Sequence, residues 1–293
     1  MGSKLLFYLI ILPISKLPFW ILYLLSDFLY LMLYRIIGYR TKVVRQNLSN
    51  SFPDKYKKDI LVIEAKFYSH LCDLVVESIK AFSISLEDAK TRMKNRNIEV
   101  VNKYFEQGRQ VVLVGGHYGN WELFAITIGE TTDHKTLALY TPLKNEFINE
   151  KITKSRSKYG LGMLSITKIK SKLNDINSDL YAIIFGADQS PRKSQRAYWM
   201  NFLNQETGIQ FGTEKFAKEF NAVVIFTNIY KVKRGYYELQ YDVITEQPEK
   251  EAIGFISKTH TQMLENVIQQ QPEYWLWSHK RWKHKKPDGE VLN

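Results

Sequence analysis

A chain of 293 residues with 45% hydrophobic side chains suits one large α/β domain with an appendage, and is too apolar for global disorder. Lys and Arg number 41 against 30 Asp and Glu, and the resulting +11 favours acidic partners: nucleic acid, anionic lipid headgroups or an acidic protein. One cysteine and six scattered histidines without an H-x-x-x-H pair provide no disulfide framework and speak against a zinc hydrolase, so no metal centre is expected.

The chain opens on "KLLFYLIILPISKLPFWILYLLSDFLYLMLYRIIGYR". Leu17 to Ile37 matches the roughly 20 residues that span a bilayer. Asp27 near its centre costs about 3 kcal/mol on insertion scales, which the surrounding Leu, Ile and Phe offset. No small-residue cleavage site succeeds the first apolar run, so a cleaved signal peptide is not expected. Arg35, Arg40, Lys42 and Arg45 outnumber Lys4 and Lys16, which puts the residues after Ile37 on the cytoplasmic side. Residues 1–40 therefore read as a membrane anchor, spanning or embedded in one leaflet, and residues 41–293 as the main domain with a helical first part, 41–95. The plainer reading of the anchor is a hydrophobic core helix.

Asp54 to Phe82 has Ile60, Ile63, Phe67, Leu71, Leu74 and Ile79 at helical spacing, which predicts a long amphipathic helix. Cys72 falls near its apolar face and reads as a buried structural thiol. Ser85 with Asp88 three residues on marks the next helix start. After about Asn95 the pattern changes. "QVVLVGG", "KTLALYTP", "LYAIIFGADQ" and "AVVIFTNIYKV" read as strands; "NWELFAITIG", "NEFINEKITKSRSKYG", "KIKSKLNDIN" and "TEKFAKEFN" read as helices. Continuously apolar strands alternating with helices predict an α/β fold, a mostly parallel sheet covered by helices on both faces. "YYELQYDVI" alternates and is expected as an antiparallel edge strand, and Glu251 to Gln270 as a last helix.

Ligands of open α/β sheets collect at the carboxyl ends of strands. "VGGHYGNWELF", Val114 to Phe124, places His117 at such an end and Glu122 at the start of a helix. Tyr140-Thr141-Pro142 and Asp188-Gln189 end two further strands. The dinucleotide, phosphate-loop and nucleophile-elbow motifs are absent. If Glu122 folds back on His117, it orients the imidazole, and His117 can take a proton from a substrate alcohol. The competing reading is a turn-capping histidine beside a helix-dipole carboxylate, and spacing alone does not choose.

"GGHYGNWE" resembles the H-x4-D/E motif of the lysophospholipid acyltransferase superfamily, and more closely its lipid A biosynthesis late acyltransferase (lauroyl/myristoyl transferase) branch. The resemblance runs along nearly the whole chain, through "RQNLSNSFPD", "LYTPLKN", "RSKYG", "ADQSP", "GTEKFAKEFNAVVIF" and "PEYWLWSHKRWKHKKP". It implies a glycerolipid acyltransferase-like fold with a membrane-facing N-terminus. It implies acyl transfer from a thioester of acyl carrier protein, or of coenzyme A, to a hydroxyl of a lipid acceptor at the bacterial inner membrane, with no bound cofactor. His117 then matches the general base and Glu122 its partner. Arg156 and Asp188 match site positions that bind substrate, and Gly119 and Asn120 lie within the motif at substrate-binding positions. The segment after Asp188, "QSPRKSQRAYWMNFLNQETG", departs from the small-residue, proline-rich stretch usual there and leaves the acceptor open: a lipid A precursor, a lysophospholipid or a glycolipid.

Lys280, Arg281, Lys283, Lys285 and Lys286, with His279 and His284 among them, form a basic cluster fit for carrier protein or lipid phosphate; the bland reading is a solvated tail. Lys168, Lys170 and Lys172 add a second group. Trp275, Trp277 and Trp282 suit a membrane interface and a core edge equally. A basic membrane-binding protein without catalysis would explain charge and anchor but not the histidine motif. The basic residues match no nucleic-acid reader motif, so nucleic acid is not an expected partner.

Overall fold

The computed structural model describes residues 2–169, 178–192, 197–287 and 289. The chain begins with α1 (Gly2–Leu6), a wide π-type turn (Phe7–Ile11) and α2 (Leu12–Lys16). Pro18 ends this segment, because a proline pushes its predecessor out of the helical region, and Leu17 is extended at ψ 148°. α3 (Phe19–Tyr30) comes next, continued by a second wide turn (Leu31–Ile36).

Phe19–Ile36 is long and apolar enough to cross a membrane, and little of it is buried. One face is nevertheless tied to the body. Beyond it lie α4 (Thr41–Ser51) and α5 (Lys57–Lys80), and α3 packs along α5. Leu22 is buried between them. Tyr23 donates to Glu77 at 2.9 Å, and Ser26 donates to Asp73 at 2.8 Å. Asp27, the charge expected to oppose insertion, pairs with Arg234 at 2.6 Å. Tyr34 stacks on Tyr68 with ring centroids 4.6 Å apart. Trp20, Leu24, Phe28 and Leu31 point outward from the other face. Of the basic residues after this helix, Arg45 makes a bidentate pair with buried Glu64 and Arg40 donates to the Ser278 carbonyl. Cys72 is fully buried, and burial, with the Asp73 and Asp27 charges, pushes its thiol up to about 11, as suits an unreactive core thiol.

Further along the described residues come α6 (Leu86–Arg92), β1 (Met93–Asn95), α7 (Glu99–Glu106), β2 (Val111–Gly115), α8 (Trp121–Thr127), β3 (Lys135–Tyr140), α9 (Glu146–Arg156), β4 (Gly162–Ser165) and β5 (Tyr181–Gly186). Then come β6 (Ala197–Phe202), β7 (Gln205–Gln210), α10 (Gly212–Glu219), β8 (Val223–Lys233), β9 (Tyr236–Thr245) and α11 (Phe255–Gln270). Ser85 caps α6 by accepting the Asp88 N–H, as its spacing predicts.

Among the described residues seven strands form one sheet in the order β1-β9-β8-β2-β5-β3-β4, and β6-β7 form a separate hairpin. Every neighbour in the large sheet is parallel except β8 and β9. β2 is apolar throughout because both faces are covered. Val111 and Leu113 pack toward Leu123 and Ile126 of α8, and Val112 and Val114 toward Phe216 and Ala217 of α10.

One strand differs from the sequence reading, one hairpin was not read from it, and one expected helix falls largely outside the described residues. β9 is antiparallel to β8 as expected, but it is not an edge strand: β1 pairs beyond it, and three residues are too short to show a period of two. β6 and β7, in the segment that departs from the resembled family, pair with each other and with no other strand among the described residues. Of the helix expected at "KIKSKLNDIN", residues 170–177, with Lys170 and Lys172, lie outside the described residues.

Candidate active site

The site is built by the register of two parallel strands. Gly115, the last residue of β2, pairs with Gly186, the last residue of β5. His117 and Asp188 each come two residues later, so the two strands deliver them side by side. The Ala187 N–H donates to the Gly115 carbonyl at 2.9 Å, which extends the ladder to the site. Close packing explains a glycine here: a Cβ on Gly115 would stand 2.7 Å from the Thr227 carbonyl oxygen.

Asp188 holds His117 at two points. Its Oδ2 accepts the His117 backbone N–H at 2.8 Å, and its Oδ1 lies 2.7 Å from His117 Nδ1. The Trp275 indole N–H also donates to Oδ2, at 2.8 Å. Burial alone would raise the carboxyl, but the His117 charge and these donors outweigh it and hold Asp188 down at about 2. An ionised carboxylate only accepts, so Nδ1 carries the proton and Nε2 the lone pair. His117 itself is pushed down by burial and up by Asp188, with a smaller upward contribution from Glu122; the upward effects prevail and its pKa is raised. The Gln189 amide nitrogen lies 3.3 Å from Nε2, and Trp121 meets the imidazole edge-on at 5.1 Å.

Glu122 does not pair with His117. Its two carboxylate oxygens take the Arg156 guanidinium, Oε2 from Nε at 2.8 Å and Oε1 from Nη2, and Oε1 also accepts the Trp121 indole N–H at 3.2 Å. The cause is the phase of α8. Trp121 is its first residue and turns toward His117; Glu122, about 100° further round, turns toward the C-terminal end of α9. Asp188 meanwhile already occupies Nδ1. The four charged residues singled out in the sequence thus come together as two pairs, His117 with Asp188 and Glu122 with Arg156.

Gly119 and Asn120, named as substrate-binding positions by the resemblance, hold the turn. Gly119 has φ +63°, and a Cβ there would lie 2.8 Å from Ile229 Cγ2. Asn120 is 1% exposed. Its Oδ1 caps α8 by accepting the Leu123 N–H at 2.8 Å, and its Nδ2 donates to buried Glu77 at 2.5 Å. An Asn just before a helix has the capping signature, which was the readable signal.

The C-terminal segment is likewise structural where it meets the site. Trp275 and Trp277 are core residues, and Trp282 donates to Thr207 at 2.7 Å. Arg281 is buried and donates to the Gly208 carbonyl at 2.9 Å. Lys280, Lys283 and Lys285 remain exposed, and Lys286 pairs with Glu206. Trp275 and Gln189 reach the two ends of the histidine system without having been singled out as site residues. Trp275 lies 87 positions from Asp188, beyond any local signal, whereas Gln189 stands beside Asp188 at the strand end read from the sequence.

His117 opens on a cavity of about 490 Å³. Leu113, Phe124, Leu161 and Met163 line it with hydrocarbon, while Thr141, Asn149, Gln189 and Gln210 bring polar groups. Arg156 also lines it. A base with an unprotonated nitrogen beside an apolar cavity of this size can activate a hydroxyl next to a bound hydrocarbon chain. Among the described residues no group of three His, Cys, Asp or Glu could hold a metal ion.

Comparison with known proteins agrees with this chemistry. The profile of the family described as bacterial lipid A biosynthesis acyltransferase matches residues 3–284. The chain is 21% identical over 280 residues to the lipid A biosynthesis palmitoleoyltransferase of Escherichia coli (strain K12), covering 94% of this chain and 89% of that protein. It is similar to the lipid A biosynthesis acyltransferase of Shigella flexneri to the same extent, 21% over 280 residues, with the same coverage of 94% and 89%.

Proposed function

The chain belongs to the bacterial lipid A biosynthesis acyltransferase family and is an acyltransferase, and we propose that it moves a fatty acyl group from a carrier-protein thioester to a hydroxyl of a lipid A precursor. The observation that carries the reading is His117 held by Asp188 through Nδ1, with Nε2 facing the apolar cavity.

The donor chain lies in that cavity, and the acceptor hydroxyl approaches Nε2. His117 takes the hydroxyl proton as the oxygen attacks the thioester carbonyl, and Asp188 stabilises the imidazolium that forms. The C–O bond forms, an oxyanion develops, and the C–S bond then breaks. The leaving thiolate takes the proton back from Nε2, so no covalent enzyme intermediate is needed. Arg156, with Nε and Nη2 committed to Glu122, has Nη1 left for the developing negative charge, and the Gln189 amide is a second donor within reach. Glu122 is then a positioning residue for Arg156, in place of the imidazole-orienting role its spacing suggested.

The protein works at the inner membrane with the catalytic domain on the cytoplasmic side, where acyl carrier thioesters are available. Phe19–Ile36 lies in one leaflet, since Ser26, Asp27 and Tyr23 bind the body while Trp20, Leu24 and Phe28 face out. Exposed Lys280, Lys283 and Lys285 provide a basic surface for an acidic carrier. A lysophospholipid or glycolipid acceptor is the second reading. It is favoured by the β6-β7 hairpin, which occupies the segment that departs from the resembled family and ends at Gln210 in the cavity wall.

The test is incubation of purified protein with acyl carrier protein thioester and a hydroxyacylated glucosamine disaccharide phosphate, read by mass spectrometry. One added acyl mass on the disaccharide is the expected product. Transfer to a lysophospholipid with none to the disaccharide overturns the acceptor, and acyl coenzyme A as the sole competent thioester overturns the donor.

A further inference from the structure

A second cavity, of about 370 Å³, lies on the far side of the Glu122–Arg156 pair. It runs between Phe7 and Ile11 of the N-terminal segment, α5 and α9. Leu71, Val75, Ile79 and Phe82 give it hydrocarbon walls. Trp121, Ile152 and Arg156 line both cavities, so the two meet beside the catalytic histidine. Leu276 closes the inner end, and its N–H donates to the His117 carbonyl at 3.2 Å.

The outer end differs from that of the first cavity. Beside Phe7 and Ile11 the same segment exposes Leu5, Leu6, Leu9 and Ile10, a surface suited to bilayer hydrocarbon. Lys151 stands at the rim, its ammonium 5.8 Å from the Phe7 ring and 5.2 Å from the Phe147 ring. Its carboxylate neighbour, the Glu150 side chain at 3.7 Å, is largely exposed. A lysine held against rings at the mouth of an apolar cavity is placed to meet an anionic headgroup.

We propose that this cavity takes one hydrocarbon chain of the anionic lipid acceptor, entering sideways from the membrane between the N-terminal segment and α9. The inference rests on the acyltransferase reading and adds a division of labour. The donor chain, delivered from a soluble carrier, enters the cavity whose wall includes Thr141, Asn149 and Gln210. The acceptor, already in the membrane, uses the cavity beside the apolar surface. The Glu122–Arg156 pair stands between them.

The experiment uses the full-length protein in phosphatidylglycerol–phosphatidylethanolamine vesicles and two photoactivatable probes. One is N-(3-hydroxytetradecanoyl) glucosamine 1-phosphate with a diazirine at the chain end. The other is an acyl carrier protein thioester with a diazirine at its chain end. The expected result is glucosamine-probe labelling in residues 7–11 and 71–82, and thioester-probe labelling around Leu113, Leu161 and Met163. Glucosamine-probe labels confined to the second group overturn the proposal. Labelling at 71–82 by that probe, with no acyl transfer to any hydroxy lipid, supports the cavity and sinks the catalytic reading instead. Val75→Trp and Ser78→Phe give a kinetic check that needs no labelling. Each should raise KM for the tetradecanoyl acceptor at least about tenfold and leave donor chain-length preference unchanged. A changed donor preference with an unchanged acceptor KM assigns the cavity to the donor and overturns the proposal.

Discussion

The two ion pairs at the site look alike in the sequence and act differently in the fold. His117 and Asp188 lie at the ends of adjacent parallel strands, and their contact leaves one reactive nitrogen facing the cavity. Glu122 and Arg156 join two helices, satisfy each other through two parallel hydrogen bonds, and stand between two cavities. In the proposed reaction the first pair prepares a proton transfer and the second places a cation. A carboxylate five residues from a histidine is therefore a weaker guide to its partner than the strand next door.

Breaking the first pair should have the larger effect on turnover. His117→Ala removes the base and should lower kcat/KM by about 10⁴-fold with an unchanged circular dichroism spectrum; near-normal turnover removes His117 from the reaction. Asp188→Asn should cost on the order of 10³-fold, because an amide cannot hold the same tautomer with a charge. It should also move the acidic limb of the pH–rate profile. The base works when neutral, so activity falls as pH drops through the His117 pKa. Asp188 raises that pKa, while burial lowers it. Without Asp188 burial dominates, and the limb in log kcat/KM should shift to lower pH. A limb that stays in place shows that Asp188 does not set the charge on His117.

The second pair should show its effect in stability as well as rate. Glu122→Ala leaves a partly buried guanidinium without its partner, which costs on the order of 3 kcal/mol in denaturant unfolding, and should lower kcat/KM by about 10²-fold as Arg156 is released. Double-mutant cycles on unfolding free energy sharpen the contrast. Glu122 with Arg156 should couple by about 1–3 kcal/mol, and Glu122 with His117 by less than about 0.5 kcal/mol. Strong coupling of the latter restores the partnership that spacing suggested. The smallest effect is expected at the turn between the pairs. Asn120→Ala should lower stability by about 1–2 kcal/mol through the lost cap and the lost hydrogen bond to Glu77, which keeps Tyr23 and Tyr237 as donors, with acceptor and donor KM unchanged. A raised KM returns Asn120 to the substrate.

Much of this was readable along the chain. The apolar runs of β2, β5 and β8 and the helical spacing of α5 specify element type, because burial on one face or two leaves its period in the sequence. His117 and Asp188 were legible as candidates because they stand where strands end, and Arg156 through the family resemblance. Their pairing was not. It depends on which strand lies beside β2, on a register that aligns Gly115 with Gly186, and on the rotation of α8. The same holds for Trp275, whose indole N–H reaches Asp188 from the far end of the chain.

By itself the sequence determined the alternation of strands and helices, the apolar N-terminal segment, the histidine at a strand end and a family-wide pattern of motifs. These are local properties, carried by residues within a few turns or pleats of one another. Only the tertiary structure decided that Asp188 and not Glu122 pairs with His117, that Asn120 caps a helix and reaches Glu77, and that two cavities meet at Arg156. Those outcomes depend on side chains from distant segments competing for the same few ångströms, and the winner is set by strand order and packing.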